Sequence, residues 1–113
     1  MDALQRVNRE GITPQVSRPD RAKVLAGDPV HTAWSVEERG SLCAGMWHST
    51  EGKWRFDYAE WKNVHVLEGV SVLTDEAGRA TTLRAGDSFV IRPGFRGTWE
   101  VVEPTLKDYV ILA

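Results

Sequence analysis

From about His31 onward the chain alternates short apolar runs with turn residues. Residues 42–48 are apolar enough for a strand, and Glu51-Gly52 marks a turn. Trp54, Phe56 and Tyr58 alternate with Arg55 and Asp57, a period of two that gives a strand one apolar face. Residues 64–67 are apolar on both faces and break at Glu68-Gly69. A run at 70–74 follows, then the turn Asp75-Glu76-Ala77-Gly78. Short runs at 81–84 and 88–91 lead to a break at Arg92-Pro93-Gly94. Residues 98–102 alternate again until Pro104, and 107–112 close the chain. Eight short strands punctuated by turns predict a closed or sandwiched all-β architecture. No amphipathic stretch is long enough for the helix of a βαβ unit.

Residues 1–29 have a different texture. They are polar, carry Pro14, Pro19 and Pro29, and show no alternation. Residues 20–26 read as one short helical turn capped by Gly27. The expected organisation is therefore an irregular N-terminal arm over 1–29, packing on the barrel or on a partner subunit, and a β-barrel over 30–113. A lid over a pocket is the alternative role for the arm.

A chain of 113 residues favours one domain and can bury a core without staples. Its 14 basic and 16 acidic residues give a net charge of −2, and neither sign is gathered in a block. Nucleic acid is not an expected partner, because its footprint is a basic stripe. Cys43 is the only cysteine, which excludes an internal disulfide and a cysteine-based zinc site. No apolar run has the length of a membrane-spanning helix, and residues 1–11 lack the apolar core of a signal peptide, so no membrane partner is expected and the cytoplasm is the expected compartment. Five tryptophans are many for this length; Trp fills cores, pockets or interfaces.

The turns and their order carry a resemblance. Gly45-Met46-Trp47, Gly52-Lys53-Trp54, Val66-Leu67-Glu68-Gly69, Asp75-Glu76-Ala77-Gly78, Ala85-Gly86-Asp87, Pro93-Gly94-Phe95 and Gly97-Thr98-Trp99 follow one another as in the cupins. Gly27-Asp28-Pro29, Lys107 and Tyr109 also fit. The chain resembles this superfamily over about residues 27–112, and within it the (S)-ureidoglycine aminohydrolase type of cupin domain. The resemblance implies a double-stranded β-helix, the jelly-roll barrel of RmlC-like cupins. It also implies a site of three histidines and a carboxylate for a divalent transition metal.

The motif spacing places those ligands by count from Gly69 and Gly94. The carboxylate position is Lys62. The first two histidine positions are Phe56 and Tyr58, or Arg55 and Asp57 with the longer spacing, and the third is Gly97. With the shorter spacing every ligand is missing, two rings, a glycine and an ammonium group standing in their places, and with the longer only Asp57 survives, so no metal and no other cofactor is expected. Glu60 would replace Lys62 as the inward carboxylate if the preceding loop were two residues longer.

Parity with Val64 and Val66 points Lys62 into the barrel. It then either snorkels to water or pairs with Asp57 or Glu60, or it replaces the ion as the positive centre of a pocket. Trp47, Trp54, Phe56, Tyr58 and Trp99 would line the same interior, as core or as pocket wall. Arg92 and Arg96 flank a turn where solvation is their ordinary state. His31 and His48 read as surface residues, and His65 faces away from Val64 and Val66. Cys43 reads as a core thiol. The expected function is a small-molecule binding barrel for an anionic or ureide-like ligand, with Lys62 and the aromatics as the site, in a homodimer. The alternatives are a metal-dependent aminohydrolase-like enzyme and a filled structural or regulatory barrel.

Overall fold

A computed structural model describes residues 3–113. Among them are nine strands: β1 (Gln15–Ser17), β2 (Val24–Gly27), β3 (His31–Arg39), β4 (Leu42–Ser49), β5 (Gly52–Asp57), β6 (Trp61–Asp75), β7 (Ala80–Arg84), β8 (Ser88–Ile91) and β9 (Arg96–Leu112). All pairings are antiparallel. The expected helical turn over 20–26 is confined to a 3-10 turn, Arg21–Lys23, capped by the Asp20 carboxylate on the Ala22 N–H. It stops there because Val24–Gly27 pairs with β5. β1 and β2 stand at the two ends of the path β1-β3-β4-β9-β5-β2.

Two long strands organise the sheet. β9 gives residues 105–112 to β4 and residues 96–101 to β5. β6 runs along β9 and carries β8 on 62–65 and β7 on 70–74. Each therefore serves both halves of a curled sheet, and the result is a jelly-roll β-barrel. The breaks expected at Glu68-Gly69 and at Pro104 are bends within continuous strands rather than strand ends. The β6–β9 register slips at Val66/Glu68, Glu68/Val70 and Val70/Ser71, opposite Pro104. A proline, which has no N–H for a ladder, is tolerated at such a bulge. Gly69 has φ +90°, and a Cβ there would run into the Pro104 carbonyl oxygen, so the bend requires a residue without a side chain.

The inward faces of β5, β6, β7, β8 and β9 bury Trp54, Phe56, Val64, Val66, Leu73, Leu83, Ile91, Trp99 and Val101 in one cluster. Fully burying an aliphatic or Phe side chain contributes about 1.5–3 kcal/mol, so this cluster is the main source of stability. Its polar atoms are paired in series. The Trp99 indole N–H donates to Ser71 Oγ at 3.1 Å. Ser71 Oγ meets Thr105 Oγ1 at 2.7 Å, and Thr105 Oγ1 donates to the Glu103 carbonyl at 2.9 Å. The core does not fill the barrel: a cavity remains between β3, β4, β5, β6 and β9.

Candidate functional site

The cavity has a volume of about 360 Å³. Strand alternation selects its wall. β4 contributes Cys43 and Trp47, β5 contributes Trp54 and Phe56 with Tyr58 just beyond, and β6 contributes Lys62. β9 contributes Lys107, Tyr109 and Ile111, and β3 contributes His31 and Ala33. Tyr58 is held by the Pro-Gly turn: its N–H donates to the Phe95 carbonyl at 3.1 Å and its carbonyl accepts from Gly94 N–H at 2.7 Å. Phe56 stacks on Tyr58 and on Phe95, with ring centres 4.4 and 5.3 Å apart.

Five of the six residues expected to form the site face this cavity. Lys62 points inward, its Nζ 3.4 Å from the Tyr58 ring centre and 3.8 Å from a Glu60 carboxylate oxygen. Glu60 is thus Lys62's neighbour rather than its replacement. Trp99 is the exception. It lies behind the wall, 1% exposed, with its N–H committed to Ser71.

Three residues were missed or misassigned from the sequence. Lys107 is buried on β9, its Nζ 4.4 Å from the Trp47 ring centre and 4.2 Å from that of Trp99. Its inward direction was visible in the alternation of Lys107, Tyr109 and Ile111 with Leu106, Asp108 and Val110. His31 is half-buried rather than a surface residue: its ring sits between Trp47 and Trp54, at 5.0 and 4.6 Å, and Nε2 is buried with no hydrogen-bond partner among the described residues. Cys43 is half-buried on the cavity wall rather than sealed in the core. His65 faces outward as its parity predicts, 3.1 Å from Asp108.

The electrostatics follow from two lysines placed in one largely apolar cavity. Burial, and then the Lys62 charge, push Lys107 down to about 7. Burial also lowers Lys62, while Glu60 and Cys43 act the other way. His31 is pushed down to about 4, by burial and then by the charge of Lys107. Tyr58 and Tyr109 are held above the usual tyrosine range, chiefly by burial. Near neutral pH the cavity therefore holds a Lys107 amine that exchanges its proton readily and a neutral His31 imidazole.

The residues present do not fit a cupin metal. Phe56, Tyr58 and Lys62 occupy the ligand positions on the wall. Asp57, the one carboxylate the longer spacing would supply, is turned to Arg96 at 3.3 Å. At Gly97 a Cβ would overlap the Thr74 carbonyl oxygen, so no histidine can stand there without moving the backbone. Among the described residues no three His, Cys, Asp or Glu side chains gather as a metal site. A more open groove, lined by Arg55, Asp57, Thr74, Asp75, Arg96 and others, holds the ion pair Asp57–Arg96, and its Asp75 pairs with Arg79. No helix of the described residues is long and apolar enough to cross a membrane.

Residues 36–109 match the EutQ-like cupin domain family. Among solved structures, the chain is similar to a DUF861-family protein from Pseudomonas syringae pv. tomato, with 24% identity and a TM-score of 0.83 over 93% of this chain and 46% of that one. It is similar to the Clostridium difficile EutQ protein at 17% identity and a TM-score of 0.68, over 74% of this chain and 63% of that one. A DUF861-family protein from Thermotoga maritima shares 28% identity at a TM-score of 0.55, over 57% of this chain and 73% of that one. The chain thus spans less than two thirds of the length of the first two. No curated protein matches the sequence. These likenesses support the jelly-roll barrel, and the family match covers well over half of the sequence, so the chain belongs to the EutQ-like cupin domain family.

Proposed function

We propose that this cupin domain is a metal-independent binding barrel for a small anionic molecule, a carboxylate or an ureide-like acid. The observation that carries the reading is that Lys62 and Lys107 line one largely apolar and aromatic cavity with too little negative charge to balance them. Only Lys62 has a carboxylate neighbour, and 3.8 Å is too long for a good hydrogen bond. Holding a lysine charge in a poorly solvated space costs free energy that a bound anion offsets. The volume, about 360 Å³, lies within the roughly 300–1,000 Å³ range of small-molecule sites. His31 Nε2 adds an unpaired polar atom that a ligand group could satisfy.

A filled structural barrel would leave no such space, and an aminohydrolase of the metal-dependent kind would need donors that this wall lacks. A homodimer covering β1 or β2, where Val16 and Leu25 are exposed, is part of the proposal and is checked by sedimentation.

The test is a thermal-shift series with lactate, succinate and allantoate against their neutral amides. A ligand selective for the folded state at about 100 times its Kd adds about 2.7 kcal/mol, which such a scan resolves. Carboxylates should raise the melting temperature of the wild type, and less so that of Lys62→Met. Equal shifts with the neutral amides, or none with any carboxylate, would overturn the reading.

A further inference from the structure

We propose that the ligand is a small oxo acid, whose carboxylate is held by Lys62 and whose carbonyl carbon is captured by Lys107 Nζ as an imine. This rests on the anion-binding reading and goes beyond it in naming the ligand class and a covalent step.

The two lysines share a cavity but not an environment. Lys62 keeps a Glu60 carboxylate oxygen 3.8 Å from its Nζ, which favours its charged form. Lys107 has no ion-pair partner among the described residues; the faces of Trp47 and Trp99 are its close neighbours. Indole faces stabilise an ammonium, but they accept no strong hydrogen bond and cannot replace lost water. The same two rings hold the amine in place, so little freedom remains to be lost when it reacts. Lys107 and Lys62 lie four residues apart in register, Lys107 opposite Val66 and Lys62 opposite Ile111, both facing inward. That puts their backbones roughly 13 Å apart along the strand, a span that two lysine side chains and a short ligand can bridge.

The chemistry needs no partner beyond ligand and solvent. The lone pair of the neutral Lys107 amine forms a bond to the carbonyl carbon while the C=O π pair moves to oxygen. The carbinolamine then loses that oxygen as water, with the two hydrogens that began on the amine, and the imine nitrogen takes a proton from solvent. Hydrolysis reverses each step. Depression of the Lys107 pKa by burial and by Lys62 supplies free amine near neutrality. An ordinary lysine at pH 7 is less than about one part in a thousand free amine.

The experiment is reductive trapping. Wild-type protein is incubated with pyruvate, 2-oxoglutarate or 4-oxopentanoate plus cyanoborohydride, then weighed intact and mapped by peptide. The expected result is one adduct per chain, on Lys107, with at least one of the three acids. It should slow when excess lactate competes, and it should be absent from Lys107→Met. Lys62→Met should keep the Lys107 amine yet lose selectivity for oxo acids over acetone. Lys107→Arg, charged but unable to form an imine, checks the loss if Lys107→Met folds poorly. No adduct with any of the three acids, labelling spread over exposed lysines such as Lys23, or acetone trapped as fast as the acids would each overturn the proposal. Lactate binding without trapping sinks the imine alone, whereas no binding of lactate at all sinks the anion reading beneath it.

Discussion

The side-chain nitrogen of Lys107 lies 4.2 Å from the centre of the Trp99 ring, inside the barrel, and no carboxylate of the described residues pairs with it. This has a pH signature. The folded chain sheds the Lys107 proton at about 7, whereas the unfolded chain keeps it until the ordinary lysine range, about 10.4. Between those values the unfolded state binds more protons, so stability rises with pH, by at most about 1.4 kcal/mol per unit. Below pH 7 both states are protonated and the cost is constant. Of the groups facing Lys107 across the cavity, Lys62 adds to the effect and His31 is already neutral. Tyr58 and Tyr109, held high in the fold, end the rise where unfolded tyrosine ionises. Urea unfolding from pH 6 to 9.5 should show the rise in wild type and its loss in Lys107→Met, which should also be the more stable at pH 6. A flat wild-type profile would contradict the buried amine.

His31 governs the acid side. Its folded value of about 4 lies below the ordinary histidine value of 6.5, so protons bind the unfolded state first and stability is lost as pH falls through that interval. The ring is partly open to solvent, which moderates the effect. His31→Phe keeps a ring between Trp47 and Trp54 and removes the titration. Its melting temperature should fall less than that of wild type between pH 6.5 and 4.5; parallel curves would place His31 in solvent.

The series Trp99–Ser71–Thr105–Glu103 predicts coupled losses. Ser71→Ala strands the indole N–H and one Thr105 contact, at a cost of about 1–3 kcal/mol for buried groups left unpaired. Thr105→Val should cost a similar amount, and the double variant should lose less than the sum, since the residues share one chain of bonds. Chemical denaturation of the four proteins measures it; additive losses would show the bonds to be independent.

Much of the fold was legible because the outer strands obey period two. Trp54, Phe56 and Tyr58 gave β5 its inward face, and parity with Val64 and Val66 turned Lys62 inward. The long strands were not legible, because Gly69 and Pro104 look like terminators when read locally. Only their juxtaposition across the β6–β9 pair shows that each permits the other's bend. β3 was obscured by its bulge between Ser35 and Glu37, which breaks the alternation and left His31 reading as a surface residue. Lys107 carried the same inward parity as Tyr109 and Ile111. A lysine is read as solvent-facing by default, and only packing against two tryptophans overrules that.

The metal question has a direct prediction. Gly97→His restores a histidine where the cupin pattern places one, but its Cβ meets the Thr74 carbonyl on β6. The variant should lose stability and bind no nickel or manganese in equilibrium dialysis, because Phe56, Tyr58 and Lys62 still supply no ligand set. Stoichiometric metal with an unchanged melting temperature would contradict the fit argued above.

The most direct test of the cavity's chemistry is the titration of Lys107 itself. Selective labelling of lysine side chains, with Lys107→Met for assignment, follows its Nζ and Cε resonances through pH 5 to 11. A midpoint near 7 is expected for wild type, as burial beside a second ammonium requires. A midpoint in the ordinary lysine range would mean that the amine is solvated, and would contradict the account of the cavity as an anion and carbonyl site.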